Sequence, residues 1–223
     1  MTTRGLRPDE IALLEQTLAR RGRHRDRLFL LLAVTTGFRV SELLTLQFSQ
    51  LTTVAGQVAD EITISRRLLK GGRGGRARSI RSRRIPLSER ARGAISDFLV
   101  SLHVHPTGES YVFSSRKGDN RPITRCHAHY LLKTMARELS LDADRIGCHS
   151  CRRTFARGVY IASGHDLVKT QRLLGHASPL TTARYLAPDE VELDDLARGF
   201  DPLAPLFTSP AAAGSRSSCT GVV

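Results

Sequence analysis

Apolar residues recur every three to four positions along most of the chain, and a different rhythm appears only once, between residues 61 and 86. Ile11, Leu13, Leu14 and Leu18 follow Pro8-Asp9-Glu10, a proline-led and acidic opening that predicts a helix ending near Arg20-Arg21-Gly22. Residues 26–36 are almost wholly apolar, which predicts a central helix buried on all sides and stopped by Gly37. A short third helix is predicted over residues 38–46. Residues 61–69 and 77–86 are rich in β-branched side chains and read as two strands, joined through Gly71-Gly72-Arg73-Gly74-Gly75. Helical spacing returns over residues 88–102 (Ala91, Ala94, Ile95, Phe98, Leu99) and again over 124–139, with a short apolar turn or strand at Tyr111-Val112-Phe113 between them. The expected fold class is therefore α+β, mainly α-helical, with a small antiparallel hairpin.

Composition adds a partner. The 223 residues carry a net charge of +13, with 34 Lys and Arg against 21 Asp and Glu. Between residues 62 and 88 there is no acid, yet eight arginines and one lysine: Arg66, Arg67, Lys70, Arg73, Arg76, Arg78, Arg81, Arg83 and Arg84. A block of one sign at that density is a footprint for the phosphate backbone of double-stranded DNA. No basic amphipathic helix with aromatic anchors accompanies it, so a membrane partner is not expected. No apolar run reaches membrane-spanning length, and residues 2–10 are too polar for a signal peptide. Four cysteines in a chain this long do not form a disulfide scaffold, which points to a reducing cytoplasm.

The densest chemistry lies in residues 148–188. His149 and Arg152 are three apart, hence on one helical face. His176 follows Leu173-Leu174-Gly175, a helix end with a glycine cap, and Ser178-Pro179 opens the next helix, which carries Tyr185. A tyrosine, two histidines and an arginine suit phosphoryl transfer with a tyrosine nucleophile. The tyrosine and the histidines also have plainer readings, as a core tyrosine and structural histidines, and Arg39, just after the Gly37 stop, could be a surface cap. His24, His103, His105, His127, His129 and His165 read as structural. Cys126, His129, Cys148 and Cys151 could form a zinc set by spacing, although this CxxC overlaps the H-x-x-R box.

The order H-x-x-R, then L-G-H, then a tyrosine nine residues later resembles the catalytic half of the tyrosine recombinase (phage-integrase) family. Thr36-Gly37-x-Arg39-x-Ser41-Glu42-Leu43-Leu44-x-Leu46 resembles the family's first signature box. The likeness covers residues 9–200. It implies a catalytic set of Arg39, Lys70, His149, Arg152, His176 and the nucleophile Tyr185, with Lys70 as general acid in the hairpin. The alternative for Lys70 is a phosphate contact. Arg66, Arg67, Arg73, Arg76, Arg78, Arg81, Arg83, Arg84 and Arg153 are expected to contact DNA. Cys151 stands where the family usually has leucine, and Arg153 where it often has histidine.

The family implies a site-specific recombinase or integrase that forms a 3′-phosphotyrosyl bond, without metal, cofactor or ATP, and self-associates as a tetramer on DNA. The alternatives are a type IB topoisomerase-like enzyme and an idle DNA-binding regulator of the same fold. One catalytic domain is expected over residues 1–202, without the N-terminal core-binding domain common in the family, followed by a disordered tail over 203–223. An acidic stretch at residues 189–201, with Val191, Leu193, Leu196 and Phe200 as apolar anchors, either docks on a neighbouring subunit or packs on its own domain. The expected location is the cytoplasm, at the nucleoid.

Overall fold

A computed structural model of the chain describes residues 3–65, 82–104, 106–188 and 190–200. Its centre is α2 (His24–Thr36), which follows α1 (Pro8–Arg20) and packs against it. Residues 28–34 are buried without exception, so the all-apolar stretch has no solvent face and needs neighbours on every side. These neighbours are α1, α4 (Glu89–Val100) and α6 (Cys148–Ala162). Phe29 meets Phe113 edge-to-face at 5.4 Å, which brings the apolar turn at residues 111–113 into the same core.

Gly37 ends α2 in the left-handed region, at φ 58°. Any Cβ there would also fall 2.2 Å from the Phe155 ring, so both backbone and space demand glycine. The turn feeds α3 (Val40–Leu44), shorter than its apolar run suggests, and a 3-10 turn at Phe48–Gln50. Strands β1 (Glu61–Ile64) and β2 (Arg83–Pro86) pair antiparallel, with Ile62 opposite Ile85 and Ile64 opposite Arg83. They are the base of the expected hairpin; its tip, residues 66–81, lies outside the described residues.

Helices α5 (Arg125–Glu138), α7 (Leu167–Leu174) and α8 (Pro179–Leu186) complete a unit that runs through Ala187. The fold is mainly helical with a small two-stranded antiparallel sheet, as its sequence pattern predicts. A second unit begins at Pro188 and contains α9 (Glu190–Gly199). Within α9, Glu190 and Glu192 favour the N-terminal end of the helix dipole, and Arg198 pairs with Asp194 and Asp195. Residues 201–223, including the expected tail, lie outside the described residues. No described helix is long and apolar enough to cross a membrane.

Candidate active site

A cleft of about 620 Å³ opens between α3, α6 and α8, and it is lined by Arg39, His149, Arg152, His176, Thr181 and Tyr185 among others. Five of the six sequence-predicted catalytic residues therefore share one cavity. Lys70 lies outside the described residues, as do Arg66, Arg67, Arg73, Arg76, Arg78 and Arg81.

Arg152 forms the floor and is 1% exposed. Its guanidinium donates to the Gly37 carbonyl, to the Leu174 carbonyl at 2.7 Å and to His176 Nε2 at 2.9 Å, while Nε has no partner among the described residues. One arginine thus joins the end of α2, the end of α7 and the His176 turn. Burial and the nearby Arg39 charge bring its pKa down to about 10, against the opposing pull of Glu42 and the Tyr185 hydroxyl. It remains charged at neutral pH.

Arg39 precedes α3 and is held by a carboxylate that sequence reading passed over. Glu42, 1% exposed, accepts the Arg39 backbone N–H at 2.8 Å and its Nη1 at 2.7 Å. It also pairs with Arg83 Nη1 at 3.3 Å. The available signal was a Glu at the third helical position after Arg39, where it can reach back to the free N–H. Arg83, expected beside DNA, instead turns inward. It donates to the Thr36 carbonyl at 2.8 Å and lies over the Phe38 ring at 4.9 Å. Strand alternation explains the difference, since Arg83 shares a face with the core residue Ile85. Its burial, then repulsion from Arg152, lower its pKa to about 9.

Arg153 is inward as well. It donates to the carbonyls of Tyr185 at 3.1 Å, Ala187 at 2.9 Å, Arg184 at 3.2 Å and Thr3 at 2.5 Å. These bonds tie the end of α8, and so the Tyr185 backbone, to α6 and the N-terminal segment. Arg84 points out and pairs with Glu61.

Tyr185 projects its hydroxyl to within 3.0 Å of His149 Nδ1, and its ring lies 5.2 Å from that of His176. Burial first, then Arg152 and Arg39, hold the His149 pKa below its usual value, so at neutral pH the ring is free to accept a proton. His176 is pressed further, to about 4, by burial and by Arg152, Arg39 and Arg83. It sits just after Gly175, whose φ of 63° makes the left-handed helix end. Three guanidiniums against one carboxylate leave surplus positive charge, which suits a bound anion.

The zinc set does not assemble. No cluster of three or more His, Cys, Asp or Glu able to hold a metal occurs among the described residues. Cys151, on α6, is packed in the core, whereas Cys126 is exposed near the start of α5.

The chain belongs to the phage integrase family, whose profile matches residues 4–192. Among curated relatives it is similar to the tyrosine recombinase XerC of Erythrobacter litoralis. The two are 35% identical over 147 residues, covering 66% of this chain and 42% of that protein. It is also similar to the tyrosine recombinase XerD of Bradyrhizobium diazoefficiens, 31% identical over 186 residues, covering 80% of this chain and 54% of the relative. The chain spans about half the length of the curated relatives it matches. In fold it is similar to a crystal structure of XerA recombinase, with a TM-score of 0.65 at 20% identity, over 89% of this chain and 65% of that one. It is likewise similar to XerH recombinase bound to its difH substrate in a pre-cleavage complex, with a TM-score of 0.62 at 24% identity, over 86% and 53%.

Proposed function

We propose that this chain carries the catalytic unit of a site-specific DNA recombinase or integrase, acting on double-stranded DNA through a 3′-phosphotyrosyl intermediate. The observation that carries the reading is the Tyr185 hydroxyl, 3.0 Å from His149 Nδ1 in the chain's own arginine-floored cleft. The nucleophile accordingly attacks the strand held by its own subunit. Tyr185 O forms the new bond to phosphorus as His149 takes its proton, and Arg39 and Arg152 grip the non-bridging oxygens. The bond to the 5′-oxygen breaks, and Lys70 in the hairpin supplies the proton that this oxygen needs. The phosphotyrosine conserves the bond for religation, so no nucleotide is consumed.

The arginines of the hairpin tip (Arg66, Arg67, Arg73, Arg76, Arg78 and Arg81), with Arg84, would neutralise backbone phosphates. Arg83 and Arg153 are better read as holding the site together from within. The acidic segment at 189–201 would be repelled by DNA and attracted to the basic surface of a neighbouring copy, which supports tetrameric assembly on DNA. The protein then works at the nucleoid, in the cytoplasm. Residues 1–202 would act as one catalytic domain, with 203–223 as a tail.

The test is a nicked half-site duplex that releases its short 5′-hydroxyl strand after attack. Covalent protein–DNA adduct on a denaturing gel, followed by joining of the held strand to a second duplex, is the expected result. Adduct that only reseals its own strand would replace recombination with simple nicking and resealing. No adduct would end the reading.

A further inference from the structure

His176 is held at both ring nitrogens. Nε2 faces Arg152 Nη2 at 2.9 Å, and Nδ1 faces Thr182 Oγ1 at 2.9 Å. A guanidinium has no acceptor, so Nε2 must accept. A neutral imidazole then carries its one proton on Nδ1 and donates it to the Thr182 hydroxyl. Thr182 is fully buried on α8, one turn before the nucleophile, and His176 is buried with it. The backbone is fixed too, since Gln171 Nε2 donates to the His176 carbonyl at 3.0 Å.

This arrangement does not match the one that bound DNA requires. A phosphate oxygen only accepts, so a His176 that contacts the scissile phosphate must present a proton on Nε2. The imidazole can take up a second proton, or it can move its single proton from Nδ1 to Nε2. Burial first, and then the charges of Arg152, Arg39 and Arg83, oppose a second proton and press the ring's pKa to about 4. The neutral route needs a partner at Nδ1 that can reverse from acceptor to donor. A hydroxyl can do both, whereas a carboxylate accepts only and an ammonium donates only.

We propose that Thr182 is a positioning residue for strand cleavage, whose hydroxyl accepts from His176 Nδ1 in the free site and donates to it when Nε2 turns to the phosphate. The proton leaves Nδ1 and returns on Nε2 by exchange with water, and the imidazole changes role without changing charge. Arg152 exchanges its bond to Nε2 for one to a phosphate oxygen in the same step. The role rests on the recombinase reading above.

Thr182→Val removes the hydroxyl and keeps the branched shape, and Thr182→Ser keeps the hydroxyl. In single-turnover cleavage of the nicked half-site, Thr182→Val is expected to slow adduct formation at least about tenfold, the effect of one lost hydrogen bond, with duplex binding unchanged. Thr182→Ser should stay within about threefold of wild type. The pH profile separates this from a merely structural loss. Titrations shared by both proteins, such as that of His149, cancel in the ratio of their rates. The rate of Thr182→Val relative to wild type should therefore rise as pH falls from 8 to 6, because the variant keeps only the protonated route. A valine variant as fast as wild type, a serine variant as slow as valine, or identical pH profiles would overturn the role. A second measurement needs no variant and no DNA. In the free wild-type protein, the ¹⁵N spectrum of His176 should show the proton on Nδ1, and a proton on Nε2 would overturn it as well. A wild-type protein that leaves the half-site uncut would sink the recombinase reading and this role together, whereas cleavage matched by Thr182→Val would sink the role alone.

Discussion

Arg152 and Arg153 are neighbours on α6 and almost equally hidden, at 1% and 8% exposure, yet they serve opposite sides of the helix. On the front, Arg152 shares its bonds between two carbonyls and a histidine and leaves Nε without a partner at the floor of an open cleft. On the back, Arg153 is bonded to four carbonyls. The front is therefore under-neutralised and poised for an anion. The back is closed, and its charge serves to fasten α8. Burial and residue type alone do not separate the two; what each guanidinium is bonded to does. Arg83 Nε is also buried without a partner among the described residues, so what marks Arg152 is not the unpaired Nε alone but its place at the floor of the open cleft.

Chemistry should be lost from the front with the fold intact. Tyr185→Phe deletes one oxygen, whose neighbour is His149 Nδ1, and leaves the arginines in place. Covalent adduct on the half-site is expected to fall below detection, a loss of at least about 10⁴-fold, while duplex binding and the melting temperature stay near wild type. Adduct that survives denaturation in this variant would move the nucleophile elsewhere.

The converse holds on the back. Arg153→Met keeps the stem and removes the donors, so the carbonyls of Thr3, Arg184, Tyr185 and Ala187 lose their partner. Several acceptors left short should cost about 2–4 kcal/mol of stability, read as a lower urea midpoint. Cleavage should fall less than in Tyr185→Phe, because the hydroxyl remains and only the anchoring of α8 loosens. If stability were unchanged and DNA binding alone weakened, Arg153 would belong with the DNA-contacting arginines after all.

This division explains what could be read from the sequence. The helices were legible because apolar spacing is local: residues 28–34 have no polar side, and Ser178-Pro179 announces a helix start. The front set was legible because H-x-x-R, L-G-H and the tyrosine are close in the chain and resemble a known box. The buried network was not. Glu42 meets Arg83 across 41 positions, and Arg153 meets Thr3 across 150, so these pairs exist only once the chain has closed. A basic block hides the same fact, since charge density says nothing about which arginines turn inward. At Arg83 the strand alternation carried the answer. At Arg153 the buried neighbours Ser150 and Ala156, three positions away on either side, carried it only faintly.

The smallest expected effect concerns pH, and it also distinguishes the two sides. In the unfolded chain His176 binds a proton near its ordinary value of 6.5; in the folded site it does not do so until about 4. Its folded pKa is depressed, so its contribution to stability is complete above pH 6.5 and is lost as pH falls toward 4. The limiting slope for one group is about 1.4 kcal/mol per pH unit. His149 is shifted in the same direction and adds to the slope. Glu10, whose pairing with Arg4 and Arg7 outweighs its burial and holds it below the ordinary carboxylate value of 4.5, acts mainly at the acid end. Between pH 6.5 and 5 the two histidines of the cleft should therefore dominate. Urea unfolding of wild type across that window should show stability falling with pH, and His176→Gln should flatten the decline. Arg153→Met should be weaker at every pH with its slope between pH 6.5 and 5 unchanged, because its four partners are backbone carbonyls, which do not titrate. An unaltered slope in His176→Gln would mean that neither burial nor the arginines hold this ring neutral, and the contrast between the two sides of the helix would fail.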